Sequence, residues 1–306
     1  MKFHLGLPTD RVDAPDEFVT AAAIGEIARA AEDAGFASVF VTDHPYPEDQ
    51  WLATGGHHAL DPFIALSFAA GATSTIRLFT NLCVVPYRNP FLVAKSAVSL
   101  DVLSGGRLTL GVGAGYLVPE FDALGVDFDE RNELLDEGLV AIKRAWTERG
   151  LELRGRHFTV NGHTMLPRPV QTPHPPIWVG GNSKRAIRRA VDLADGWLPM
   201  PNPRALGARR RSAHLETVDE LAVLVAYADG YRAETGRTSA LEVSVMPIGV
   251  PGPGMPDYAP RAFLDHVGAL ASLGVAGIVL MVPASTRAGL IDRVASFGAE
   301  VVPAAP

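Results

Sequence analysis

The stretch Glu32-Asp-Ala-Gly-Phe-Ala-Ser-Val-Phe-Val-Thr-Asp-His44 contains the unit from which this chain is built. The apolar run Ser38–Thr42 predicts a short strand that is buried on both faces. The periodic pattern of Phe18–Ala34 before it predicts a helix long enough to cover such strands. Two titratable residues, Asp43 and His44, follow the strand directly.

The same alternation of helix and strand continues along the chain. Seven further apolar runs predict strands at Phe3–Leu7, Arg77–Leu82, Leu108–Val112, Pro176–Val179, Gly196–Pro199, Glu242–Val250 and Gly274–Val282. Further helical patterns lie at Pro62–Ala72, Phe91–Leu103, Glu130–Glu148, Ala186–Ala194, Val218–Thr235, Ala262–Leu273 and Ala288–Ala299. Eight alternating units predict an α/β protein with a single (β/α)8, or TIM, barrel. With 306 residues, 47% of them apolar, one domain spanning 1–306 can bury such a core.

The longest gap between predicted strands runs from about residue 113 to residue 175, after strand four. It holds one helix and a hairpin pattern over Leu151–Val160 with a turn at residues 154–156. We interpret it as an insertion into the barrel and not as a second domain. Residues 201–212, with arginines at 209–211, and the proline-rich residues 251–260 are either lids or solvated connections.

Composition excludes several classes of function. The chain has 27 basic and 34 acidic residues, a formal charge of −7, and no basic run that would bind nucleic acid or an anionic membrane. Its single cysteine, Cys83, excludes an internal disulfide. The N-terminus lacks a signal-peptide pattern, and no apolar segment approaches the roughly 20 residues that span a bilayer. We therefore expect a cytoplasmic protein whose partner is a small molecule.

Catalytic groups of a barrel follow its strands, so the residues after strands two and four are informative. His44 is the leading catalytic candidate, and Asp43 is placed to orient its ring or to stabilise its charged form. The alternative is a purely structural histidine. After strand four, Tyr116 stands where a dinucleotide loop needs its third glycine, so Gly113 and its neighbours are more consistent with space for a flat ring. His57 and His58 lack metal-ligand spacing and are expected at the surface, so no metal site is predicted.

The segment Pro176-Ile-Trp-Val-Gly-Gly-Asn-Ser183 leads from strand five into a helix. Gly180 and Gly181 allow the backbone to approach a ligand closely, and Ser183 suits a helix N-cap after Asn182. The free amides at such a helix start favour an anion, so these residues predict a phosphate cradle. The alternative is a tight turn between strand and helix.

With these motifs placed, the chain resembles the luciferase-like flavin monooxygenase superfamily. Within it, the chain is most similar to oxidoreductases that depend on coenzyme F420, a 5-deazaflavin. The segments that carry the resemblance extend over about two thirds of the chain and are Glu32–His44, Pro86–Pro90, Leu100–Leu108, Gly111–Phe121, Pro176–Gly181 and Ala194–Trp197.

The resemblance implies a coenzyme ring over the strand ends, its phosphate after strand five, and Asp43-His44 in the family's acid–histidine position. It also implies that Thr80, Asn81 and Leu82 form, with Cys83, a bulge that backs the central ring. The bulge should contain a non-prolyl cis peptide, best placed at Asn81–Leu82. Family members are commonly dimers, so we expect a homodimer.

One departure bears on the substrate. Tyr116 stands where the family's sugar-phosphate dehydrogenases have a catalytic glutamate, and no tryptophan follows His44 closely enough to match their substrate-side aromatic. Oxidation of glucose 6-phosphate is therefore disfavoured as the reaction.

The favoured hypothesis is a deazaflavin-dependent reductase that transfers hydride to an electron-poor C=C or C=N bond, with His44 or Tyr116 as the acid. A two-component monooxygenase that uses flavin mononucleotide (FMN) is the first alternative, because the same barrel serves both. The others are a non-catalytic coenzyme-binding protein and a lyase or isomerase that uses the cradle for a substrate phosphate.

Overall fold

Parallel strands form the centre of the molecule, whose computed structural model describes residues 1–205, 207 and 211–306. Arg209 and Arg210 of the predicted arginine run lie outside the described residues. The strands, in chain order, are β1 (Lys2–Gly6), β2 (Ser38–Val41), β3 (Arg77–Thr80), β4 (Cys83–Val84), β5 (Leu108–Gly113), β6 (Leu151–Arg154), β7 (Thr159–His163), β8 (Ile177–Gly180), β9 (Gly196–Leu198), β10 (Glu242–Val245) and β11 (Gly277–Leu280).

The sheet closes on itself in the order β1-β2-β3-β5-β8-β9-β10-β11-β1, and every neighbouring pair is parallel. The short β4 continues the position of β3 and pairs with β5 through Cys83 and Val112. Within the described residues this gives a closed ring of eight strand positions with helices outside it. The predicted (β/α)8 barrel is confirmed.

Eleven α-helices are described. They are α1 (Pro15–Phe18), α2 (Ala21–Asp33), α3 (Asp49–Ala53), α4 (Pro62–Ala72), α5 (Pro90–Leu103), α6 (Val118–Ala123), α7 (Arg131–Thr147), α8 (Lys184–Leu193), α9 (Val218–Glu234), α10 (Pro260–Ser272) and α11 (Arg287–Glu300). The helix predicted over Phe18–Ala34 is divided, because the Thr20 side chain accepts a hydrogen bond from the Ala23 amide at 3.1 Å and caps α2. None of the described helices is long and apolar enough to cross a lipid bilayer.

The insertion after β5 contains α6, α7 and the antiparallel hairpin β6–β7, in which Leu153 pairs with Val160. The predicted hairpin is confirmed. Its turn is closed by a hydrogen bond from the Gly155 amide to the Phe158 carbonyl, slightly later than predicted. The Glu137 carboxylate on α7 accepts from the Phe158 amide at 2.9 Å and so attaches the hairpin to that helix.

The barrel interior is filled with aromatic and aliphatic side chains: Phe40, Phe79, Trp178, Leu198 and Val279. A few polar side chains are buried with them, and among these His4 lies 2.7 Å from Ser38 Oγ and 3.4 Å from Ser244 Oγ. Since these side chains fill the barrel interior, the place left for a ligand is at the carboxyl ends of the strands.

Candidate functional site

A cavity of about 420 Å³ opens over the carboxyl ends of the strands. Each predicted site residue except Thr80 lines it: Asp43, His44, Asn81, Leu82, Gly113, Tyr116, Gly180, Gly181, Asn182 and Ser183. Thr80 is fully buried behind the wall, where its hydroxyl donates to the Gly111 carbonyl at 2.7 Å. The structure therefore gives Thr80 a role in holding β3 to β5 and no contact with the cavity.

The His44 ring is held by a buried carboxylate from the insertion. Glu120, on α6, accepts at Oε2 from His44 Nδ1 at 3.1 Å and from the Tyr87 hydroxyl at 2.9 Å. Its Oε1 atom accepts from the Tyr46 amide at 3.0 Å. Because an ionised carboxylate only accepts hydrogen bonds, Nδ1 carries a proton. The Nε2 atom is therefore the one presented to the Tyr116 hydroxyl, 3.4 Å away.

The surroundings keep Glu120 ionised. Burial acts to raise the pKa of Glu120, but the hydrogen bonds from His44 and from the Tyr46 amide lower it below its usual value. Burial, and then the Glu120 charge, raise the pKa of Tyr87, so its hydroxyl stays a donor. Glu120 was not predicted as a site residue, although it stands within the segment Gly111–Phe121 that carries the family resemblance.

The prediction that Asp43 orients His44 is wrong. Asp43 is buried and turns to the other side, where Arg88 donates to both of its oxygens at 2.6 and 2.8 Å. It also accepts from the Val84 amide at 2.9 Å. These contacts occupy the Asp43 carboxylate, while the partner of His44 Nδ1 is Glu120. Its role is to fasten the backbone of β4.

Two ring systems pack against the His44 ring, and neither was assigned to the site. Trp51, on the short α3, lies 4.5 Å from the His44 ring centroid, and His57 lies 4.8 Å from it. His57 is partly exposed, as a surface residue would be, but it also lines the cavity, and burial lowers its pKa. A tryptophan therefore does lie beside His44: Trp51 follows it by seven residues, and α3 places its ring against the His44 ring.

The predicted bulge lies between β3 and β4. The Asn81–Leu82 peptide is cis, as predicted. The Leu82 side chain covers two glycines: a Cβ atom at Gly180 would lie 2.2 Å from Leu82 Cδ1, and one at Gly113 would lie 3.0 Å from it. These glycines therefore allow Leu82 to form a flat apolar floor beneath the cavity.

The cradle after β8 combines a capped helix with a rigid turn. Ser183 caps α8 by accepting from the Ala186 amide at 3.1 Å. The Asn182 amide group donates to the Met200 and Ala213 carbonyls at 2.7 and 3.0 Å, so this side chain fixes the loop. Gly181 has a φ of +120°, which L-residues rarely adopt. The start of α8 therefore lies at the cavity wall in a fixed position.

Arginine side chains gather at the same end of the cavity. Arg131, Arg189 and Arg211 all line it. Arg189 is buried and paired with Asp136 on α7, while Arg211 lies 3.2 Å from Asp129. Sequence reasoning missed Arg131 and Arg189, since both lie inside helices with no motif to mark them.

Arg131 carries the charge that is least balanced. Its guanidinium lies 3.7 Å over the Phe128 ring and donates to the Phe128 carbonyl at 2.8 Å. Burial lowers the pKa of Arg131. The Asp129 charge opposes this shift, while the nearby Arg211 and Arg185 add to it. No carboxylate among the described residues forms an ion pair with it. Together with the start of α8, this arginine fits an anionic group on a ligand.

A flat floor, an acid–base wall and an anion end suit a flavin-type coenzyme. The sequence profile of the luciferase-like monooxygenase family matches residues 1–222. The chain belongs to the luciferase-like monooxygenase family. This luciferase-like protein is 34% identical over 235 residues to an uncharacterised protein of Mycobacterium tuberculosis, which covers 72% of this chain and 75% of the relative. The F420-dependent hydroxymycolic acid dehydrogenase of that organism is 29% identical over 210 residues, 67% of this chain and 52% of that protein.

Solved structures match the whole luciferase-like barrel. A monooxygenase from Streptomyces bottropensis superposes with a TM-score of 0.78 at 21% identity, covering 99% of both chains. The coenzyme F420 dependent tetrahydromethanopterin reductase from Methanopyrus kandleri gives 0.74 at 18% identity, covering 99% of this chain and 98% of that one. A Baeyer–Villiger monooxygenase of Pseudomonas putida in complex with FMN gives 0.76 at 14% identity, covering 100% and 99%. These superpositions show that the chain shares the barrel fold, and the family match supports an oxidoreductase.

Proposed function

We propose that this luciferase-like protein is a deazaflavin-dependent reductase that saturates an electron-poor C=C or C=N bond. One observation carries the proposal: the His44 ring, fixed at Nδ1 by Glu120, presents Nε2 beside the Tyr116 hydroxyl on the cavity wall. Reduction of such a bond needs a proton donor within reach of the atom next to the one that receives hydride. His44 and Tyr116 are two donors in that position.

The chain offers a separate place for each part of the coenzyme. Leu82, seated on Gly113 and Gly180, would lie against the flat ring. The start of α8 and the unbalanced Arg131 would hold the anionic end. The match to an F420-dependent dehydrogenase over 67% of this chain supports a deazaflavin over FMN.

The proposed reaction adds one hydride and one proton. Reduced coenzyme F420, when bound, supplies the hydride to one atom of the double bond. The proton reaches the other atom from His44 Nε2 or from the Tyr116 hydroxyl. Glu120 stabilises the charged imidazole before transfer and fixes the ring afterwards. The rings of Trp51 and His57 pack against the His44 ring, and the donor regains its proton from solvent.

A parallel fluorescence titration tests the choice of coenzyme. We expect coenzyme F420 to bind at least about tenfold tighter than FMN, a difference of about 1.4 kcal/mol. Equal or reversed affinities would contradict the proposal and favour an FMN-dependent monooxygenase. Tight binding of F420 without turnover of a broad panel of enones and imines would favour the non-catalytic binding protein.

Variants of the wall test the proton donor in the same assay. His44→Ala should lower turnover by about 100-fold or more while the F420 dissociation constant changes far less. Tyr116→Phe is the matched comparison, since it removes only a hydroxyl. If Tyr116→Phe abolishes turnover and His44→Ala does not, Tyr116 is the donor and the role of His44 is wrong.

A further inference from the structure

A second cavity opens beside the first, on the side of the barrel mouth away from α8. It has a volume of about 470 Å³ and lies over the ends of β1, β10 and β11. The two cavities share four wall residues, Asp10, Met246, Val279 and Met281, and therefore adjoin along this line. We call the second cavity the tail chamber.

The wall of the tail chamber is mostly apolar. Buried Phe18, Leu280 and Leu290 lie at its inner end, and the proline-rich segment predicted as a lid or connection contributes Gly252 and Met255 at its outer side. Unbranched methionine side chains adapt to ligands of different shape, and three of them, Met246, Met255 and Met281, line this space.

Its polar groups offer little to an anion. Arg11 is the cation in the wall, and its guanidinium already donates to both oxygens of Asp13, at 2.8 and 3.0 Å, and to the Ala284 carbonyl at 2.6 Å. The Asp10 carboxylate at the boundary repels negative charge. The anionic end of a coenzyme belongs at Arg131 and α8, across the mouth, so the tail chamber is left for a neutral, apolar group.

We propose that the tail chamber binds an apolar alkyl or cyclic arm of the substrate while the reacting bond lies beside His44. The substrate class is then an electron-poor alkene or imine that carries a hydrophobic arm of several carbons. The chamber volume lies within the range of pockets that enclose drug-sized ligands, so it can take such an arm whole. The reacting group of the substrate in this inference rests on the proposed reductase function. The apolar arm of the substrate rests on the tail chamber alone.

Binding of saturated ketones tests the arm without any turnover. Calorimetric titration of the coenzyme-free protein with 2-pentanone and 2-nonanone compares ligands that differ only in chain length and cannot be reduced at a C=C bond. Each buried methylene can strengthen binding by about fourfold. We expect 2-nonanone to bind at least tenfold tighter; equal dissociation constants would overturn the proposal.

A substitution that fills the tail chamber provides a variant to compare with the wild type. A Cβ atom at Gly252 would meet only Met255 Sδ, at 3.9 Å, so Gly252→Phe can enter the chamber without a backbone clash. We expect it to remove the preference for 2-nonanone and to leave 2-pentanone binding within twofold. Val223→Phe introduces the same side chain at an exposed position of α9 and should retain the preference. If Gly252→Phe does not fold, Ala284→Leu fills the same space. If a correctly folded variant of either kind still prefers 2-nonanone, the proposal is contradicted.

Turnover of a matched enone pair separates this inference from the proposed function. With reduced F420, 3-nonen-2-one should have a kcat/KM at least tenfold above that of 3-penten-2-one. Chain-length-dependent ketone binding with no reduction of either enone would contradict the reductase and keep the tail chamber. Equal reduction of both enones with equal ketone binding would contradict the tail chamber and keep the reductase.

Discussion

At the scale of single residues, Glu120 decides which nitrogen of His44 carries a proton. Glu120→Gln replaces an acceptor with an amide that can also donate, so Nδ1 no longer has to be the protonated atom. We expect turnover to fall by about tenfold to a hundredfold. The F420 dissociation constant, from fluorescence titration, should stay within twofold because Glu120 does not line the cavity.

Tyr87→Phe is the control for this variant. It removes the hydroxyl that donates to Glu120 Oε2 and leaves the contact between Glu120 and His44 in place. One lost hydrogen bond of this kind should reduce turnover by less than about tenfold. A loss in Tyr87→Phe as large as in Glu120→Gln would mean that both variants merely disturb packing.

His4 makes stability depend on pH. Burial in the barrel, and then the charge of Lys2, lower the pKa of His4 to about 3. In the unfolded chain a histidine titrates near 6.5, so below about pH 6.5 the unfolded chain binds a proton that the folded chain does not. The stability is therefore fully present above that pH, and the free energy of unfolding falls by about 1.4 kcal/mol per pH unit as the pH falls toward 3.

Urea unfolding at several pH values measures this effect. Between about pH 6.5 and pH 5, where most carboxylates are still ionised, the free energy of unfolding should fall less steeply in His4→Asn than in the wild type. The difference should correspond to about one proton. Parallel slopes in the two proteins would show that His4 does not cause the dependence.

Sequence reasoning located His44 but gave it the wrong partner. Asp43 is its neighbour along the chain, yet the Asp43 carboxylate binds Arg88 instead. The true partners, Glu120 and Trp51, reach His44 through the packing of α6 and α3. No local pattern in one sequence encodes where such short helices turn back.

At the scale of elements, the start of α8 and Arg131 on α7 form the proposed anion site. Arg131→Gln keeps a polar side chain of similar length and removes the charge. We expect the F420 dissociation constant to rise by about tenfold, and its dependence on salt to weaken, because an ionic contact is lost. Fluorescence titration at low and at high salt measures both effects.

Arg261→Gln is the matched control, since Arg261 on α10 is almost fully exposed. It should leave affinity and salt dependence unchanged. If Arg131→Gln binds F420 as the wild type does, Arg131 is not part of the coenzyme site.

Element boundaries were predicted well where the sequence contains its own stop signals. Asp61 caps α4 and Pro62 begins it, and the observed helix Pro62–Ala72 matches the prediction. The strand predicted over Glu242–Val250 ends at Val245, just before Met246 and Pro247. An apolar run shows that a segment is buried, but hydrogen bonds to neighbouring strands decide where pairing ends.

At the scale of the whole molecule, the outer faces of α4 and α5 predict a homodimer. These helices pack side by side and expose Ile64 (62%), Phe68 (50%) and Leu92 (66%). Such an apolar face on a monomer favours burial against a second copy. Light scattering should give about twice the 32.5 kDa chain mass, and Phe68→Glu should shift it toward the monomer.

Val223→Glu is the control, because Val223 is also exposed (69%) but is the one large apolar side chain that α9 exposes among the described residues. It should leave the measured mass unchanged. A wild-type protein that runs as a monomer at micromolar concentration would contradict the dimer.

The pairing of His44 with Glu120 also constrains which loops this barrel could accept from another protein. The histidine is encoded with the barrel and its carboxylate with the segment that follows β5. Exchange of that segment, in evolution or in the laboratory, therefore also changes the surroundings of His44. A donor loop without a carboxylate four residues beyond Tyr116 would yield a barrel that folds and retains its coenzyme pocket, yet whose histidine has lost its anchor.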